Sequence, residues 1–170
     1  MNYNKLLQAI LDIAEEMLVS GAEASRVEDS MVRMCKAYGC KNINAFVITS
    51  NIQATVEAPD GEILTQIRRI VRSDVNFDRL DYLNDLSRYI CGEKPPVDKI
   101  FKRLHQILNR KIYSLWMKYV SAVFIAGGFA IFFGGNLLDG LASSIVGIIV
   151  IWLLNILSTK DTNQLAINFV

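Results

Sequence analysis

Charge all but disappears from the last third of this chain. Beyond Lys111 the only charged side chains are Lys118, Asp139, Lys160 and Asp161, although Asp, Glu, Lys and Arg make up 21% of the 170 residues. The net charge of +1 is therefore an average over two unlike parts. It gives no clustered basic face, which excludes nucleic acid as a partner. Cysteine is also scarce: Cys35, Cys40 and Cys91 are odd in number and include no C-x-x-C pair. That excludes a disulfide framework and predicts reduced thiols. The spacing of Cys35, Cys40, Cys91 and His105 is not that of paired zinc knuckles, so no metal site is expected. His105 is the only histidine, and no G-x-S-x-G elbow presents a serine to it. There is no P-loop and no Gly-rich dinucleotide turn, so neither an enzyme nor a cofactor is expected. The first twenty residues interleave Asp12, Glu15 and Glu16 with apolar side chains, which is not the pattern of a cleavable signal.

What replaces charge at the C-terminal end is length of apolar sequence. YVSAVFIAGGFAIFFGGNLL lies between Lys118 and Asp139, and GLASSIVGIIVIWLLNILST between Asp139 and Lys160. Each run of about twenty residues, at about 1.5 Å per residue, matches a hydrocarbon core about 30 Å thick. Two in succession predict a transmembrane hairpin over residues 113–160, with spans near 117–137 and 140–158. Lys94, Lys99, Lys102, Arg103, Arg110, Lys111 and Lys118 precede the first span, the turn Gly134–Gly140 has no Lys or Arg, and Lys160 follows the second. The positive-inside rule then puts the N-terminal domain and the chain end in the cytoplasm and Asp139 outside. Tyr113, Trp116 and Tyr119 stand where an inner aromatic belt belongs, with Trp152 and Asn155 towards the inner end of the second span. Gly127, Gly128, Gly134, Gly135, Ala142, Ser143, Ser144 and Gly147 are small surfaces that either line a substrate path or, the favoured reading, let helices pack closely. The closing QLAINFV, within 161–170, reads as the start of a further apolar segment. A truncated chain, or one completed by partner helices, is expected.

The first 112 residues read as an α+β domain in the order α-α-β-β-β-α-α. Leu6, Ile10, Ile13, Ala14, Met17 and Leu18 recur at helical spacing from about Asn4 to Val19. Ser20-Gly21-Ala22-Glu23 predicts a capping box that opens a second helix through Ala24, Val27, Met31, Met34, Cys35 and Tyr38, ended by Gly39. From Asn44 the period becomes two. Ala45–Thr49, Ile52–Glu57 and Ile63–Val71 predict an antiparallel meander with a turn at Pro59-Asp60-Gly61. A helix follows from Asp78 (Leu80, Leu83, Leu86, Ser87 and Ile90 inward) to Cys91-Gly92. After Pro95-Pro96 another runs from Val97 to Leu108.

Within this domain Glu23, Arg26, Glu28 and Asp29 crowd one and a half turns of the second helix. Pairs of Arg26 with Glu23, or with Asp29 or Ser30, are within helical reach. They form either a solvated face or a polar site in which an arginine fork holds a carboxylate. Arg68, Arg69, Arg72 and Arg79 present the same alternatives: an anionic ligand or lipid surface, or a charged strand edge.

Three stretches together, LDIAEEMLVSGAEASRVEDSM, RRIVRSDVNFDRLDYLNDLSRYICG and FGGNLLDGLASSIVG, resemble the N-terminal component of the threonine/serine exporter family in order and spacing. The resemblance implies an inner-membrane protein, multi-pass, with a cytoplasmic α+β domain and a larger bundle of spans held in one chain or split between two. It implies export of threonine and serine, or of a dicarboxylate such as succinate as in a split relative. The matching positions are Gly21, Ser25, Arg26 and Glu28, then Asn76, Leu80, Asn84, Ser87 and Arg88, and Asp139 after Gly134-Gly135. Gly21, Ser25, Arg26, Glu28, Asn76, Asn84, Arg88 and Asp139 are the candidates for gating or substrate contact. Only two spans are present, fewer than such a component usually carries, so a partner membrane protein or a homo-oligomer is expected to supply the remainder. Without an ATP-binding motif the expected mechanism is secondary. A membrane-anchored interaction module is the reading from another class.

Overall fold

The computed structural model describes residues 1–72, 74–110 and 114–159. Lys111, Tyr113, Lys160 and the segment 161–170 of the sequence reading lie outside the described residues. The chain forms two compact units, Met1–Arg110 and Lys111–Val170.

The first unit is built around α1 (Tyr3–Val19), started by Asn2, whose side chain accepts from the Lys5 amide at 3.0 Å. The expected apolar stripe is there, and burial extends beyond it. Leu7, Ala9, Leu11 and Glu16 are buried too, because α1 packs against three helices and two strands of the unit rather than lying on one surface. Helix α2 (Ala24–Ala37) returns alongside it and buries Val27, Met31, Met34 and Cys35. The capping box expected at its start does not form. Ser20 instead closes α1, and Glu23 at the head of α2 makes no side-chain cap bond. The amides of Gly21 and Ala22 reach back to Leu18 and Met17, the Schellman arrangement, with Gly21 at φ +99°. The serine that sequence spacing assigned to α2 is consumed by the end of α1.

Strands β1 (Lys41–Ile48), β2 (Asn51–Glu57) and β3 (Ile63–Arg69) form an antiparallel sheet in that order. The period-two pattern sets which face is covered: Val47, Ile52, Ala54, Val56 and Leu64 are buried, while Phe46, Gln53 and Ile67 pair across the open face. β3 stops before Val71. The Asp74 and Asn76 amides bond instead to the Val19 and Ser20 carbonyls, drawing the chain onto the end of α1. Asn76 then caps α3 (Phe77–Glu93) by accepting from the Arg79 amide at 2.9 Å. Leu83, Leu86, Ser87 and Ile90 face the core, with Leu80 half-buried against it. Helix α4 (Val97–Leu108) buries Ile100 and Leu104.

The second unit is the pair α5 (Leu115–Phe132) and α6 (Leu137–Thr159). Both contain windows long and apolar enough to cross a membrane, with mean hydropathy 1.6 and 2.2, and only 6% of each window is buried. Such helices would not rest in water as the buried core of a soluble protein does. The break falls earlier than charge alone suggested. Asn136 and Asp139 exchange backbone-to-side-chain bonds of 2.9 and 3.0 Å, a capping box that starts α6. The small residues divide in role. A Cβ on Gly127 would collide with Ser144 Oγ, which donates across to the Val123 carbonyl, and would press on the Gly140 carbonyl oxygen at 3.1 Å, so this crossing favours glycine. Ala142 and Ser143 line an open apolar groove with Ala122 and Ala126, and Gly128 touches nothing across the pair.

Candidate functional site

Helical spacing brings two polar stripes together. On α2, Arg26, Asp29, Ser30 and Arg33 occupy positions i, i+3, i+4 and i+7; on α3, Asn84, Ser87, Arg88 and Cys91 do the same. Packing of α2 against α3 turns the stripes towards each other, and all eight residues line one cleft of about 300 Å³. Three guanidinium groups and one carboxylate stand around it. Arg33 is held by Asp29 at 2.8 Å, and that carboxylate raises its pKa further. Arg88 lies 3.4 Å from Asp85. Arg26 is exposed and, among the described residues, has no ion-pair partner. Its own backbone carbonyl takes the Ser30 hydroxyl at 2.9 Å. The Cys91 thiol is pushed up by burial, which Arg33 only partly offsets, so it is no ready nucleophile. The cleft offers cations, amide and hydroxyl donors, and one anion. It is equipped to hold a small anionic or zwitterionic molecule by hydrogen bonds, not to transform it.

The candidates from the sequence therefore separate. Arg26, Asn84 and Arg88 meet at the cleft, joined by Ser87. Gly21 and Asn76 sit at the junction of α1 with α3, where the left-handed turn and the α3 cap account for them. Glu28 points away from the cleft and accepts the Val47 amide at 2.8 Å, tying α2 to β1. Ser25 is exposed on the first turn of α2 and does not line the cleft. Asp139 belongs to the other unit and caps α6. Arg33 was not singled out from the sequence, and Cys91 was weighed there only as a thiol and metal ligand. Their signal was the repeat of the i, i+3, i+4, i+7 stripe on the two helices, visible only once α2 and α3 are known to face each other.

The second arginine group resolves differently. Arg68 bonds Asp12 at 3.1 Å, Arg72 pairs with Glu16, and Arg79 lies 3.7 Å from both Glu16 and Asp74. Internal carboxylates thus take three of the cations that might have met a ligand or lipid. Glu16 is 5% exposed, and its Oε2 has no hydrogen-bond partner among the described residues beyond that long approach of Arg79. Neighbouring Glu15 has its pKa raised, first by desolvation and then by Glu16 and Asp12, against Arg72 and Arg68. Cys35 and Cys40 are buried, and among the described residues no three His, Cys, Asp or Glu side chains converge as a metal cluster.

A family model described as "Putative threonine/serine exporter" matches residues 8–170. No curated protein and no solved structure matches the chain.

Proposed function

Since the chain belongs to the threonine/serine exporter family, we propose that it is one component of a secondary exporter of small polar amino acids, with the α2–α3 cleft as its cytoplasmic recognition site. In this reading Arg26 takes the substrate carboxylate. Arg88 reinforces it, Asp29 faces the ammonium group, and Asn84 and Ser87 are available to a side-chain hydroxyl. The observation that carries the proposal is the cleft's charge pattern: a guanidinium at Arg26, without an ion-pair partner among the described residues, one helical turn from a carboxylate at Asp29. That pattern complements a zwitterion. Three guanidinium groups against one carboxylate would also admit a dicarboxylate, so the preference for the amino acid over succinate rests on the family match.

The lysines and arginines before α5 support a cytoplasmic placement of the first unit. Two helices enclose no aqueous path, and the open groove along Ala122, Ala126, Ala142 and Ser143 supports completion by further helices, from a partner membrane protein or other copies. The proposal is tested by loading cells with labelled threonine or labelled succinate and following efflux with and without the chain, alongside its membrane partner. Faster loss of threonine alone supports it. Faster loss of succinate alone, or of neither, refutes it.

A further inference from the structure

Helix α4 carries a second cationic surface that the exporter reading does not use. Ile100 and Leu104 anchor one side of the helix in the core, while Lys99, Lys102, Arg103 and Arg110 lie exposed. Lys99 and Arg103 are spaced i and i+4 on α4 and share a stripe, and Arg110 follows just beyond the C-cap residue Asn109. Two of these cations are held in place by aromatic faces of α3. The Arg103 guanidinium carbon is 3.6 Å from the centroid of the Tyr89 ring, and that of Arg110 is 3.9 Å from the Tyr82 ring. Between them lies a cleft of about 380 Å³ lined in part by Arg103, Arg110, Tyr82, Gln106 and the Asp85 carboxylate.

A guanidinium stacked on a ring keeps its N–H edge for hydrogen bonding, and its planar fork suits a phosphate. The nearby acids are partly engaged: Asp85 pairs with Arg88 at 3.4 Å, and Asp78 faces Arg110 at 3.8 Å. Arg110 remains half-exposed beside Asp78 and retains donors for a second acceptor. The chain itself selects the source of the phosphate. Five peptide steps lead from Arg110 to Leu115 at the start of α5, so this arginine is tethered within about 18 Å of a membrane-crossing helix. Basic segments that close to a bilayer meet its anionic headgroups at high local concentration.

We propose that the α3–α4 cleft binds the phosphate of an anionic phospholipid in the bilayer that α5 and α6 occupy, with Arg103 and Arg110 as its ligands and Lys99 and Lys102 as flanking charges. The inference rests on the chain being a membrane protein, and its readout is independent of transport.

The test uses the full chain in nanodiscs of phosphatidylcholine alone, or with about a third phosphatidylglycerol, and follows amide hydrogen exchange over residues 97–108. Exchange should slow about fivefold in the anionic discs. Arg103→Gln with Arg110→Gln should abolish the difference, and Lys99→Gln with Lys102→Gln should reduce it. Buried α1 amides report whether the arginine variant still folds; if they lose protection, the lysine variant decides by the same criterion. Equal exchange in both discs overturns the proposal, as does a difference that survives the variants. Protection produced in the neutral discs by inorganic phosphate would identify a soluble-anion site and overturn it equally.

Discussion

Glu16→Gln isolates the one buried carboxylate among the described residues. The substitution keeps shape and removes charge. It leaves Arg79, whose side chain is 14% exposed, with only the exposed carboxylate of Asp74 at 3.7 Å, and Arg72, which is 52% exposed, free to turn to water. Breaking a buried ion pair by removing one partner costs about 3–5 kcal/mol. The exposure of Arg72 places this case near the lower end, about 3 kcal/mol. Cys35 provides the assay. It is 2% exposed, and burial pushes its thiol up to about 12, so it is inert to alkylation until the first unit opens. Thiol labelling across a urea series, in a Cys91→Ser background that removes the half-exposed thiol, should show the midpoint falling by about 2 M, given a slope of about 1.5 kcal/mol per M. A fall of less than about 0.5 M would refute the reasoning, because Glu16 would then carry little of the electrostatic load assigned to it.

The same assay checks two further expectations. Gly21→Ala should cost about 1–2 kcal/mol from the left-handed backbone alone, since the new methyl would meet Val75 only at ordinary contact distance, 3.4 Å. A loss of transport without a loss of stability would instead assign Gly21 to the substrate path. Glu15 has a folded pKa above 4.5, so the folded state binds its proton more tightly and stability falls as pH rises through the window above 4.5. Glu15→Gln should therefore flatten that decline, raising the urea midpoint above wild type at pH 7 but not at pH 4; a midpoint below wild type at pH 7 would contradict it. Asp139→Ala should remove half of the α6 capping box, costing about 1 kcal/mol and speeding hydrogen exchange at the Asn136 amide about fivefold.

Legibility in the sequence followed locality. Strand alternation, the Pro59-Asp60-Gly61 turn and the end of α2 at Gly39 depend on neighbours a few residues apart, and each could be read directly. The Ser20–Glu23 motif failed because the end of α1 and the start of α2 compete for the same residues, and spacing does not reveal which helix wins. Glu16 was unreadable as a buried group. It stands beside Asp12 and Glu15 on what looks like a solvated face, and only Arg72 and Arg79, brought over from beyond β3, cover it. The cleft lies between these extremes. Arg26, Asn84 and Arg88 were named from motif resemblance, but their meeting depends on α2 and α3 packing across some sixty residues of sequence. Glu28, named on the same grounds, turned out to serve the sheet.

Arg26 is where the account is most exposed to test. It is solvent-exposed and has no ion-pair partner among the described residues, so Arg26→Ala should leave the urea midpoint unchanged. The decisive measurement is intracellular threonine after feeding a threonine dipeptide to cells lacking other threonine exporters, with and without this chain. With Arg26→Ala threonine should accumulate to several times the wild-type level, and Arg26→Lys, which keeps the charge but loses the fork, should fall between. Wild-type efflux from a stably folded Arg26→Ala protein would contradict recognition of the substrate at the α2–α3 cleft.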